Sequence, residues 1–131
     1  MNDAVPLLAV VDDDADVRTA LTRLVSSAGF AVETFASGAE LLRSIQDHEP
    51  DCLVLDLHMP EMSGFDVQAA LARDHVTVPV VVITGHDTPE ARARAIQLGA
   101  KGYLRKPVND SVLLEAIEMA IGGTRNRTEE T

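Results

Sequence analysis

Asp12, Asp13 and Asp14 stand together directly after the apolar run Leu7-Leu8-Ala9-Val10-Val11. Asp56 closes a second apolar run, Cys52-Leu53-Val54-Leu55. Thr84 follows the β-branched stretch Val78 to Ile83, and Lys106 with Pro107 closes Gly102 to Arg105. Carboxylates gathered at one place repel one another and need a counter-charge. Hard oxygen donors with few imidazoles and no thiol among them suit Mg²⁺. The Thr84 hydroxyl and the Lys106 ammonium supply donors for an anion. A carboxylate nucleophile, a divalent cation and two such donors are the equipment for phosphoryl transfer onto a carboxylate. Each piece alone also has a plainer reading. Three aspartates fit a solvated turn, a threonine after a strand fits a helix cap, and Lys-Pro by itself says little. All four occur in order, each at the end of a different strand, and it is this combination that points to phosphoryl chemistry.

The elements that must position these residues alternate in type. Helical spacing of Val17, Ala20, Leu21, Leu24, Val25 and Ala28 predicts a helix after the first strand, with Gly29 as its C-terminal glycine. Ala31 to Phe35 reads as a short strand. Ser37 and Glu40 predict a capping box for a helix carrying Leu41, Leu42 and Ile45. After Asp56, Met59 to Gly64 reads as a turn and Phe65 to Arg73 as a helix. Thr88 and Pro89 predict the start of a helix that ends near Gly99. Ser111 to Ile121 is the last amphipathic stretch, with Val112, Leu113, Ala116, Ile117, Ala120 and Ile121 as its apolar stripe. From Gly122 onward apolar periodicity stops, so 1–122 is expected to be the folded domain and 123–131 a flexible tail or linker stub. Strands that read as near-continuous Val, Ile and Leu are covered on both faces. Right-handed crossovers then put helices on both sides of a parallel sheet, an α/β three-layer sandwich. In such sheets ligands bind at the carboxyl ends of the strands, where the acidic residues, Thr84 and Lys106 fall.

Composition bounds the partners. The chain has 131 residues, 46% hydrophobic and 24% charged, an ordinary globular balance. Eleven Lys and Arg against 21 Asp and Glu leave a net charge of −10, which disfavours direct binding to nucleic-acid phosphates. One cysteine, Cys52, cannot form an internal disulfide and is expected to be an inert core thiol, consistent with a reducing compartment. No membrane span and no secretory leader at Met1 to Pro6 are legible, so a cytoplasmic location is expected.

Val10-Val11-Asp12-Asp13, Leu55-Asp56-Leu57-His58-Met59-Pro60 with Gly64, Ile83-Thr84-Gly85, and Lys106-Pro107 together resemble the receiver domain of two-component response regulators. The resemblance covers about residues 6 to 121 in register. It implies a flavodoxin-like fold, a doubly wound five-stranded parallel sheet of order 2-1-3-4-5. It implies a regulatory phosphoacceptor that assists its own phosphorylation and dephosphorylation. Asp56 would be the phosphorylated residue. Asp12, Asp13 and Asp56, with the main-chain carbonyl of His58, would hold Mg²⁺, and Thr84 and Lys106 would contact the phosphoryl group. Thr84 and Tyr103 would form the switch, and the Lys106–Pro107 bond would be cis. His58 and His86 fall where the family tunes phosphate lifetime; the plainer reading is two exposed polar side chains. Their imidazoles also suit Zn²⁺, but the acidic cluster favours Mg²⁺. The implied partners are a sensor histidine kinase or phosphotransfer protein, and a second copy in a phosphorylation-dependent homodimer. The face made by the fourth helix, fifth strand and fifth helix, including Arg92, Ala95, Tyr103 and Arg105, would carry the contact. Gly29-Phe30-Ala31-Val32 and Ile83-Thr84-Gly85-His86 further resemble receivers joined to helix-turn-helix output domains.

Rival chemistries fit less well. An aspartyl-phosphate phosphatase uses a second Asp two residues after its nucleophile, and here that position is His58. A flavin module of flavodoxin type wants a Ser-, Thr- and Gly-rich phosphate loop after the first strand, where this chain has three aspartates. A degenerate receiver would be expected to have lost the acidic pair, the acceptor, the Thr or the Lys. Asp14 is expected to be a charged neighbour, and His48 and His75 to be solvated at helix ends.

Overall fold

The computed structural model describes the backbone of residues 5–129 and the side chains of residues 5–122. Met1 to Ala4, part of the segment read for a leader, and residues 130–131 of the expected tail lie outside the described residues. The strands are β1 (Leu7–Val11), β2 (Ala31–Phe35), β3 (Cys52–Asp56), β4 (Val80–Thr84) and β5 (Gly102–Arg105). The helices are α1 (Ala15–Ser27), α2 (Gly38–Ile45), α3 (Gly64–Arg73), α4 (Pro89–Gln97) and α5 (Asp110–Glu129). All strand pairs are parallel and the order is β2-β1-β3-β4-β5.

Alternation along each strand splits the core in two. Ala9, Val11, Leu53, Leu55, Val80 and Val82 join Leu41, Ile45, Val67, Leu71 and Ala95 on the face covered by α2, α3 and α4. Leu8, Val10, Cys52, Val54, Val81 and Ile83 join Leu21, Val25, Leu113 and Ile117 on the face covered by α1 and α5. The central strands β3 and β4 are buried at every position, which is why they carry no polar alternation. A single Leu→Ala change at Leu53 or Leu55, both 0% exposed, is expected to cost about 2–5 kcal/mol.

Most element ends follow local chemistry visible in the sequence. Gly29 has φ +99°, the left-handed conformation that a residue with a Cβ adopts at a cost. Thr88 caps α4 by accepting from the Ala91 N–H at 3.0 Å, with Pro89 in the first turn. Ser37 caps α2, but its expected box closes differently: the Glu40 carboxylate accepts from the N–H of Ala36, at 3.3 Å, one residue before the cap. β4 begins at Val80, not Val78, because Pro79 has no N–H to contribute to a ladder. Cys52 is buried, and burial pushes its thiol up to about 12, as an inert core thiol requires.

Two expectations are corrected. α5 continues to Glu129 instead of stopping at Ile121, so its backbone runs on into the segment read as a tail or linker stub. The apolar stripe does end there, but continuing a helix requires only the absence of a breaker, and no proline follows Gly122. Ala95, expected on an exposed face, is 0% exposed. Ala91, Ala95 and Leu98 turn inward at helical spacing, whereas Arg92 and Ile96 are among the residues that α4 leaves outside.

Candidate functional site

The carboxyl edge of the sheet brings the chemistry-bearing residues together because parallel ladders end in step. Val11 lies beside Leu55, and Asp56 beside Ile83. Asp12 extends β1 by one residue, its N–H donating to the Phe35 carbonyl at 3.1 Å, so it falls level with Asp56. Thr84 ends β4, and the Lys106 N–H donates to the Thr84 carbonyl at 2.8 Å, carrying β5 to the same edge. The Lys106–Pro107 peptide is cis.

Asp12, Asp13 and Asp56 each place a carboxylate oxygen within 4.8 Å of the others. Asp12 is 0% and Asp56 3% exposed, whereas Asp13 is open to solvent. Lys106 Nζ donates to Asp12 Oδ2 at 2.8 Å and lies 3.4 Å from Asp56 Oδ1. Burial of the Asp56 carboxylate raises its pKa from 3.8 to about 6, with the Asp12 charge adding to the rise and Lys106 opposing it. The ammonium of Lys106 therefore leaves the pair undercompensated. Burial acts to lower the Lys106 pKa, but the hydrogen bond to Asp12 and the charges of Asp56 and Asp12 outweigh it and hold it above the ordinary lysine value. A surplus of negative charge on hard oxygen donors is what a divalent cation relieves, so the residues present fit one.

Asp14 is the N-cap of α1: its carboxylate accepts from the Asp16 N–H at 2.9 Å, and its own N–H donates to Asp12 Oδ1 at 2.9 Å. It thus orients Asp12 and stands outside the carboxylate cluster. Arg18, which no motif or spacing singles out, donates from Nη1 to the Asp12 carbonyl at 2.8 Å. Two further features go unmarked among the expectations, the Ser63–Asp66 capping box that starts α3 and the buried Gln68, whose Nε2 donates to the Ala95 carbonyl at 2.9 Å. The box has a sequence signature in Ser63 and Asp66, whereas Gln68 has none.

Thr84 is fully buried, and its Oγ1 lies 3.2 Å from His58 Nδ1 and accepts from the His86 N–H at 3.0 Å. The two imidazole rings are 5.2 Å apart, so the loops after β3 and β4 meet at this pair. His48 is exposed as expected, and its Nε2 lies 2.9 Å from Glu33 Oε2. Tyr103 pairs with Val82 in the β4–β5 register and packs on the α4 face of the sheet. Its hydroxyl is buried and, among the described residues, makes no hydrogen bond, while the Arg92 guanidinium lies 5.4 Å from the ring centroid. Burial first, and the nearby Asp87 carboxylate second, push the Tyr103 pKa above its ordinary value.

The family model of the response regulator receiver domain matches residues 8–118. Nodulation protein W of Bradyrhizobium diazoefficiens is 40% identical over 123 residues, covering 94% of this chain and 54% of that protein. Response regulator protein TmoT of Ectopseudomonas mendocina is 40% identical over 121 residues, covering 92% of this chain and 55% of that protein. The chain therefore spans about half the length of the curated relatives it matches. Among solved structures, response regulator StyR superposes with a TM-score of 0.86 at 40% identity, covering 97% of this chain and 65% of that one. The Vibrio cholerae chemotaxis protein CheY4 superposes with a TM-score of 0.82 at 30% identity, covering 89% of this chain and 99% of that one. The match runs from β1 into α5 and includes every strand end that contributes to the acidic edge, and on that ground the chain belongs to the response regulator receiver domain family, a regulatory family of two-component systems.

Proposed function

We propose that the chain is a phosphoacceptor switch in which Asp56 takes a phosphoryl group from a sensor histidine kinase or a phosphotransfer protein. The observation that carries this reading is the meeting of Asp12, Asp13, Asp56 and Lys106 at one sheet edge, with Asp56 buried and undercompensated. An Asp56 carboxylate oxygen attacks phosphorus, the P–N bond to the donor imidazole breaks, and its electron pair leaves with the imidazole. Asp12, Asp13 and Asp56, with the His58 carbonyl, would hold Mg²⁺, which supplies charge neutralisation at the phosphoryl oxygens when bound. Lys106 Nζ, already 3.4 Å from Asp56 Oδ1, is placed to pair with a phosphoryl oxygen. Thr84 turns to donate to another, and Tyr103 follows on the same face of the sheet. The readout surface is then α4, β5 and α5, where Arg92, Ile96 and Arg105 are exposed, and a second copy is one of its partners. His58 and His86 border the approach to Asp56 and set how long the phosphoryl group survives. The receiver unit is 1–122, with 123–131 as its tail or linker stub; the location is cytoplasmic. No described helix is long and apolar enough to cross a membrane.

The test is intact-mass measurement after incubation with acetyl phosphate. One phosphoryl group per chain is expected with Mg²⁺ and none when EDTA is present. Labelling that ignores EDTA, or no labelling at millimolar Mg²⁺, overturns the reading.

Metal binding has its own thermodynamic signature. A cation that binds only the folded chain stabilises it by about 1.4 kcal/mol at tenfold its Kd. Millimolar Mg²⁺ is therefore expected to raise Tm by about 3–6 °C. The gain should vanish in Asp13→Ala, which removes an exposed carboxylate without opening the core. A Tm insensitive to Mg²⁺ in the wild type would count against a shared cation site.

A further inference from the structure

The buried Thr84 hydroxyl has one proton, and its destination decides what the loop after β4 can do. Its oxygen already accepts from the His86 N–H at 3.0 Å. Among the described residues, His58 Nδ1, at 3.2 Å, is the acceptor within reach of its proton. A reversed arrangement, with a protonated Nδ1 donating to Thr84, would strand the hydroxyl hydrogen in a fully buried position, which is costly. The consistent assignment has His58 protonated on Nε2, the nitrogen not engaged by Thr84, with the lone pair of Nδ1 receiving the Thr84 proton.

We infer that His58 is a positioning residue that holds Thr84 in the unphosphorylated arrangement by occupying the hydrogen-bond donor which a phosphoryl group on Asp56 would need. The inference rests on the phosphoacceptor reading above and adds a competition to it. Thr84 has a single O–H, so donation to a phosphoryl oxygen and donation to His58 exclude each other. His58 sits two residues beyond Asp56 and its N–H lies 3.4 Å from Asp56 Oδ1, so the latch and the acceptor share one loop. The His58 ring is exposed, so it can swing into solvent when Thr84 leaves without unmaking any core contact. The bistable element is thus the Thr84 donor, biased toward one partner by His58 and toward the other by the phosphoryl group.

The competition predicts that removing the acceptor favours the phosphorylated arrangement. His58→Leu keeps bulk but cannot accept a proton, and His58→Asn returns an acceptor oxygen at the position of Nδ1. With Mg²⁺ present, beryllofluoride binding followed by amide chemical shifts should be about threefold to tenfold tighter in His58→Leu, the range one net hydrogen bond supplies. His58→Asn should bind like the wild type. In a Thr84→Ala background, His58→Leu should change nothing, because the donor for which the two partners compete is gone. A second measurement needs neither metal nor beryllofluoride: scalar couplings should show Thr84 χ1 in one rotamer in the wild type and averaged in His58→Leu. Wild-type protein that fails to bind beryllofluoride overturns the phosphoacceptor reading and this inference with it. Wild-type binding with unchanged or weaker affinity in His58→Leu, or a His58→Leu effect that persists without Thr84, overturns the latch alone.

Discussion

Asp56→Asn is expected to lose all phosphoryl labelling and, in metal-free buffer at pH 7.5, to be more stable than the wild type by about 1–2 kcal/mol. The two effects have one cause. Asp56 is 3% exposed, faces Asp12, and is raised from 3.8 to about 6, so its ionised form is held at a disadvantage in the folded chain. A shift of that size corresponds to roughly 3 kcal/mol between protonation states. The amide recovers only part of this, because Lys106 loses one of its two carboxylate neighbours and keeps Asp12. The pH dependence fixes the sign. A folded pKa above the unfolded value means that the ionised group opposes folding above about pH 6. The penalty is relieved as pH falls through about 6, and it is gone below the unfolded value of 3.8. The stability gap between variant and wild type should therefore narrow when pH is lowered from 7.5 to 5. Denaturant melts at the two pH values check this, and intact mass after acetyl phosphate checks the labelling. Labelling of the variant, or a variant that is the less stable of the two at pH 7.5, would sink the assignment of Asp56 as the strained nucleophile.

The strain at Asp56 was legible in the sequence only as a clustering of acids at strand ends. β3 and β4 announce themselves as unbroken apolar runs because both faces are covered, and that leaves Asp56 and Thr84 as the first polar residues at their ends. Gly29, Thr88 and Pro89 act through their own backbones, so their roles were readable one residue at a time. What escaped the sequence are contacts made between loops that follow different strands. Nothing in the spacing of His58 and Thr84, 26 residues apart, fixes a 3.2 Å contact. Gln68 in α3 and Ala95 in α4, 27 residues apart, are likewise brought together only by the fold, and the exposure of Ala95 was misjudged because a short helix with Arg92 and Arg94 on either side of its apolar residues gives a weak apolar stripe. The end of α5 was misplaced because apolar periodicity reports packing, whereas backbone helicity needs only the absence of a breaker.

Gly64→Ala is the substitution expected to disturb the acidic edge most while touching none of its carboxylates. Gly64 opens α3 directly behind the capping residue Ser63, and its N–H donates to the Leu57 carbonyl at 2.9 Å. That bond draws the start of α3 onto the end of β3. A Cβ at this position would meet the Asp56 carbonyl oxygen at 2.6 Å and Leu57 Cα at 2.8 Å. Both are backbone atoms flanked by a fully buried strand, so neither can yield by a side-chain rotation. Relief must come from moving α3 or the Asp56–Leu57 peptide, and overpacking of this kind costs about 2–3 kcal/mol. Tm should fall by roughly 10 °C, and phosphorylation by acetyl phosphate should slow, because the same shift displaces Asp56 from Lys106. Gly85→Ala is the matched control: it adjoins Thr84, a Cβ there meets nothing within 4 Å, and its stability should stay within about 0.5 kcal/mol of wild type. If Gly64→Ala melts with the wild type and labels at the wild-type rate, then the close approach of α3 to β3 does not set the position of the acceptor.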